Sequence, residues 1–194
     1  MDDFYLYFST GWHHIISVDA LDHILFVVAL ASIYLIQNWR QLLVLVTAFT
    51  IGHSLTLALS VNDVIRFNQQ WVEFLIPCTI LLTAIYNFTV AKVDRSTLHW
   101  NYLLALLFGL IHGMGFANSI RFMLSKKQGI ALPLVSFNVG LEVGQIAVVV
   151  LILALSYVVV NKLKLRQQWW TIGLSALAFV LALQMAAERI GGLF

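Results

Sequence analysis

His23, His53 and His112 stand inside runs that are otherwise hydrocarbon, and so do two acids, Asp22 and Glu142. Asp22-His23 opens Ile24-Leu25-Phe26-Val27-Val28; His53 lies in Thr50-Ile51-Gly52-His53-Ser54; His112 lies in Gly109-Leu110-Ile111-His112-Gly113; Glu142 lies in Asn138-Val139-Gly140-Leu141-Glu142. An ionisable side chain near a bilayer centre costs at least roughly 2.5–3.5 kcal/mol, so it faces a partner or a watery cavity. Imidazole with carboxylate is a ligand set for zinc, nickel, copper or iron, and a carboxylate–histidine pair also serves as ligand and supporting partner. The alternative is helix–helix glue, each group hydrogen-bonded across an interface. For three histidines and two acids on four segments, one shared metal site is the stronger reading, and Asp22, His23, His53, His112 and Glu142 are its candidate ligands.

Polar neighbours support convergence. Thr50 and Ser54 lie four apart, on one face of a helix that also carries His53. Asn138, Glu142 and Gln145 form a polar stripe at helical spacing on an apolar helix. Gly109, Gly113 and Gly115 flank His112 and let a backbone or a substrate come close, and Asn118 follows two turns on. His14, Ser54, Thr50, Asn118, Asn138 and Gln145 are accordingly expected as supporting or cavity-lining residues.

Elements that position such groups must cross a membrane. The chain has 194 residues, 61% hydrophobic and 10% charged, against about 25% charged in soluble domains. A spanning helix needs about 20 apolar residues. Six such runs are read: 20–36, 41–60, 72–91, 101–123, 132–160 and 169–188. The expected fold is all-α and polytopic with about six transmembrane helices, or seven if residues 1–19 form an aromatic-rich interfacial or re-entrant helix. Connectors are short, no internal repeat stands out, and a single transmembrane domain over residues 1–194 is expected.

The net charge of +2 points to no nucleic-acid partner; the lipid bilayer and a divalent metal ion are the partners expected. Cys78, the one cysteine, cannot form an internal disulfide and reads as a small core residue. Residues 1–3, Met-Asp-Asp, offer no basic start for a cleavable signal, so the first helix is expected to serve as its own targeting signal. Six basic residues fall in the loops after helices 1, 3 and 5 and five on the other side; with the acidic N-terminus, this places both termini outside. Asp22-His23 at the start of the first run and His53 past the middle of the second then share one side, so a cavity opening toward the termini is expected.

Four segments taken together resemble the HupE/UreJ family of hydrogenase and urease accessory membrane proteins, in its shorter branch. They are His14-Ile15-Ile16 with Asp22-His23-Ile24-Leu25-Phe26; Phe49-Thr50-Ile51-Gly52-His53-Ser54-Leu55-Thr56-Leu57; Phe108-Gly109-Leu110-Ile111-His112-Gly113-Met114-Gly115-Phe116-Ala117; and Phe137-Asn138-Val139-Gly140-Leu141-Glu142-Val143-Gly144-Gln145. The resemblance implies a six- or seven-helix protein of the bacterial cytoplasmic membrane, nickel uptake in its better-known members, and unidentified metalloenzyme-maturation partners. It matches their histidine and Asp-His pair to His14, Asp22 and His23, and their Phe-His-Gly motif to Ile111-His112-Gly113. The chain departs from those members in a longer His14–Asp22 spacing and in Ser119, which stands where they carry glutamate.

Three functions follow as expectations. The leading one is a permease or facilitator for nickel or another divalent transition metal. The rival is an intramembrane zinc hydrolase, three histidines and a carboxylate holding the metal, with Asp22 or Glu142 as base and Ser54 or Asn118 polarising substrate. The third is a structural or accessory subunit whose polar core only orders helices.

Overall fold

The computed structural model describes residues 2–17, 20–89, 95–123 and 129–192. Among these it has seven helices and no strand: α1 Asp2–Ile16, α2 Leu21–Ala31, α3 Trp39–Val61, α4 Gln69–Thr89, α5 Arg95–Met123, α6 Ala131–Ser156 and α7 Gln167–Ile190. Five of them, from α3 to α7, are long and apolar enough to cross a membrane. The pair α1 and α2 passes the same test as one span bent by 65°. Neither half could cross alone, since 15 and 11 residues fall short of the hydrocarbon thickness. The protein is thus a multi-pass membrane protein of up to six spans.

The aromatic N-terminal segment is a helix of the bundle. Tyr7 and Ile15 are buried, and α1 packs along α6. The last membrane-facing turns of α6 run on as π-helix over Tyr157–Lys162, which lengthens this span to 32 residues.

Two helix pairs are drawn together by glycine. Between α3 and α5, a Cβ on Gly52 would collide with the Leu106 carbonyl oxygen, and one on Gly109 with that of Phe49. Between α1 and α6, a Cβ on Gly11 would collide with the Phe137 carbonyl oxygen, and one on Gly140 with that of Phe8. Lipid tails are as apolar as leucine, so close backbone packing takes over from the hydrophobic effect in joining membrane helices. Phe49 faces Gly109 and His53 faces Gly113, so α3 and α5 run parallel. Phe8 faces Gly140 and Ile15 faces Gly144, so α1 and α6 do too. The third close pair, α4 with α7, is antiparallel: Asn87 meets Ser175 near one end and Arg189 meets Glu73 near the other.

Candidate metal centre

His14, His23 and His53 come from α1, α2 and α3, and one ring nitrogen of each lies within 4.8 Å of the others. The break between α1 and α2 makes this possible, because both helices turn a histidine inward at the bend: the rings of His14 and His23 are 4.4 Å apart by centroid. His112 of α5 stands beside them, 5.1 Å from His23. It is carried there by the Gly109 and Gly113 contacts that press α5 on α3. Phe49, Phe116 and Phe137 wall the cluster, packed on His112, His14 and His53 respectively.

Two of the imidazoles have a nitrogen already committed. His23 Nδ1 lies 2.9 Å from Asp22 Oδ1, and His112 Nδ1 lies 2.9 Å from the Phe108 carbonyl oxygen. A carboxylate or carbonyl accepts only from N–H, which leaves the lone pair on Nε2 in each. Those Nε2 atoms, together with His14 Nε2 and both ring nitrogens of His53, are buried without a hydrogen-bond partner. Each such orphan costs about 1–3 kcal/mol, and their grouping is what a cation would relieve. In tetrahedral coordination, with metal–nitrogen bonds of about 2.0–2.1 Å, ligand nitrogens sit about 3.3 Å apart. The nitrogen–nitrogen separations, at most 4.8 Å, would shorten by up to about 1.5 Å to hold an ion, within the reach of side-chain rotation.

Asp22 is held from behind. Its Oδ2 lies 3.6 Å from Arg189 Nη2 at the end of α7, and Arg189 Nη1 donates to the Glu73 carbonyl oxygen at 2.7 Å. That carbonyl is free because Pro77, four residues on inside α4, has no N–H to give it. A helix-interior proline thereby supplies the acceptor that locks the arginine supporting Asp22. The cluster lies under a cavity of about 330 Å³ whose lining includes Asp22, Gln69, Glu73, Gly115 and Arg189. Gln69 opens α4 and Arg189 closes α7, which by alternation of spans is the end where α1 begins.

The remaining expected residues are distributed around this core. Glu142 Oε1 accepts from Thr47 Oγ1 at 2.7 Å, on the α3–α6 seam and outside the three-histidine group. Thr50 Oγ1 donates to Gln145 Oε1 at 2.9 Å one turn from His53, and Asn138 stands beside His53 with its amide nitrogen donating to Leu134. Ser54 Oγ turns back to the Thr50 carbonyl oxygen, and Asn118 bonds Gln69 at the cavity side. Sequence reasoning set His14 among the supporting residues, whereas the structure brings it into the group of three. Arg189 and the Phe108 carbonyl were not anticipated; a lone arginine at the end of an apolar helix was the only signal for the first.

Comparison with known proteins agrees with this architecture. No curated protein and no solved structure matches the chain. The family model described as HupE / UreJ protein matches residues 1–189, nearly the whole chain, and the protein belongs to the HupE/UreJ family.

Proposed function

We propose that the protein is a permease for a divalent transition metal, with nickel the first ion to test, and that His14, His23 and His53 form its binding station with His112 beside them. The observation that carries the reading is the set of buried imidazole nitrogens from four helices that face one another without partners. Three neutral imidazoles suit nickel, copper and zinc alike. Asp22 supplies negative charge through His23, which raises the basicity of that ligand and fixes its tautomer. Transport needs an ion held firmly enough to lose water and loosely enough to leave; a three-nitrogen site with an adjacent cavity meets both conditions.

The family and the apolar spans support a place in a bacterial cytoplasmic membrane, and the excess of basic residues in the loops opposite the termini favours the cavity and both termini on the outer side. The ion then enters from outside. Uptake of Ni²⁺ into proteoliposomes containing the purified protein tests the reading: accumulation above protein-free vesicles, lost in His53→Ala, supports it. Equal accumulation in both would end it.

One observation favours the zinc hydrolase as a second reading: the cluster lies under a cavity open at one end, as a substrate pocket would. Against it, Asp22 is bound to His23 and Arg189 and Glu142 to Thr47, so neither carboxylate stands free as a general base. Zinc that stays bound through prolonged dialysis, with turnover of a lipid or peptide, would reverse this preference.

A further inference from the structure

The glycine contacts described above are the same contacts made twice. A Cβ at Gly52 of α3 would meet Leu106 O and Leu110 N of α5; one at Gly140 of α6 would meet Phe8 O and Trp12 N of α1. A Cβ at Gly109 of α5 would meet Phe49 O of α3; one at Gly11 of α1 would meet Phe137 O of α6. One turn on, Thr56 Oγ1 donates to Leu110 O, and in the same place the Cβ position of Gly144 lies 3.4 Å from Trp12 O. Phe-x-x-Gly thus recurs in α3 and α6, and Gly-x-x-His, ending in His112 and in His14, recurs in α5 and α1. The helices left over, α4 and α7, both begin Gln-Gln-Trp, and they pack antiparallel on each other as helices flanking a twofold axis must.

The units are therefore α3-α4-α5 and α6-α7-α1. Successive spans alternate, so the second unit is inverted relative to the first, and its last helix stands at the N-terminus of the chain. Inverted units with a site between them are an arrangement that secondary transporters use to present one site to two sides in turn. Here His53 and His112 belong to one unit, His14 to the other, and His23 to α2, which links them.

That linker has no counterpart among the described residues. In the first unit the cavity lies between the start of α4, with Glu73 exposed in it, and His112, Gly115 and Phe116 of α5. The matching place in the second unit is beside the start of α7, where Thr171 answers to Glu73. There α1 ends at Ile16, and the turn after α2 packs on the start of α7. Thr171 is buried and its Oγ1 donates to Ser32 O at 2.9 Å. Ser32 Oγ lies 3.2 Å from Ser175 Oγ, Gln167 Nε2 donates to Ile33 O at 3.1 Å, and Asn87 Nδ2 to Ala29 O at 2.7 Å.

We propose that α2 is the gate of the far side: a helix seated where the inverted repeat would open its second cavity, carrying His23 of the binding station on its first turn. Its withdrawal from α7 releases the ion to the side opposite the cavity now open. The proposal rests on the permease reading and extends it to the direction-changing element. Metal binding acts on the gate directly, because an ion held by His23 is held by α2.

A reversible lock tests this. In a Cys78→Ala background, Ser32→Cys with Ser175→Cys can be oxidised to join α2 to α7. The full-length protein in proteoliposomes is then compared oxidised and reduced, for Ni²⁺ binding and for Ni²⁺ uptake. Oxidised protein should bind within about twofold of reduced protein yet transport at least about tenfold more slowly, with reductant restoring the rate, since a lock on one state removes exchange and not affinity. Unchanged uptake with the disulfide confirmed by mass would overturn the gate while leaving the permease standing. Reduced protein that binds Ni²⁺ and moves none would overturn both. Membrane-impermeant maleimide gives a second readout on the matched positions. Glu73→Cys should label from the cavity side, and Thr171→Cys only from the opposite side, faster during Ni²⁺ turnover. Thr171→Cys that stays unlabelled under turnover would overturn the gate.

Discussion

Replacing Asp22 by asparagine removes one charge and almost no volume from behind the cluster, so its effect on metal affinity can be worked out in advance. Asp22 Oδ1 sits 2.9 Å from His23 Nδ1. An ion on the far ring nitrogen is then about 6.5 Å from the carboxylate, where one negative charge and a divalent ion attract by about 5 kcal/mol at an effective dielectric of about 20. Screening through the open cavity that Asp22 lines takes off about half of that, while Arg189, 3.6 Å from the other carboxylate oxygen, acts on the ion alike in both proteins. A net loss of about 1.4–2.7 kcal/mol follows, or ten- to a hundredfold in Kd, the range found when carboxylates behind metal-bound histidines are removed. Asparagine can still accept the Nδ1–H bond, so His23 keeps its tautomer and the loss is electrostatic. His23→Ala, which deletes the ligand, should cost more. Titration of Ni²⁺ into detergent-solubilised protein measures all three. An Asp22→Asn affinity within about twofold of the native value, or as poor as that of His23→Ala, would refute the placement of Asp22 behind His23 rather than on the metal.

Further outcomes follow from the same geometry. Glu142→Gln should change Ni²⁺ affinity by less than about threefold, because its carboxylate is taken by Thr47 and charge on the α3–α6 seam acts at longer range; equilibrium dialysis checks this. Gly52→Ala and Gly140→Ala should each destabilise by about 1–3 kcal/mol, since a methyl at either glycine meets a backbone carbonyl across the pair; thermal unfolding in detergent should lose similar amounts for both. Metal affinity should fall toward acid, because protons compete for every imidazole that must bind the ion as a free base; dialysis across a pH series gives the sign and the slope.

Much of this protein was legible from its residues for a simple physical reason. Histidines and acids inside hydrocarbon are costly, so His23, His53, His112 and Asp22 stood out, and the structure brings them together, Asp22, His23 and His112 lining one cavity and His53 buried behind them. The long apolar runs marked α3 to α7 within a few residues at most ends. The N-terminal segment was harder. Fifteen residues are too few to span, and neither the bend that joins α1 to α2 into one broken crossing nor the packing of α1 along α6 is written in the N-terminal segment. His14 was accordingly ranked below its true place in the cluster. Glu142 differs in the opposite way: helical spacing puts it with Asn138 and Gln145, but its carboxylate accepts from Thr47 of α3 and lies outside the three-histidine group. The repeat was hidden by order, since a unit whose third helix opens the chain leaves no tandem pattern. It shows in which carbonyl each glycine faces, and those contacts then align short motifs too small to stand out alone.

Elemental mass spectrometry on protein purified without a metal-chelating tag, dialysed against Ni²⁺ and compared with a His14→Ala, His23→Ala, His53→Ala variant, tests the central claim most directly. The account predicts about one exchangeable nickel per native chain, consistent with a single three-imidazole station, and none in the variant. Native protein that holds no metal, or a variant that holds as much, would contradict it.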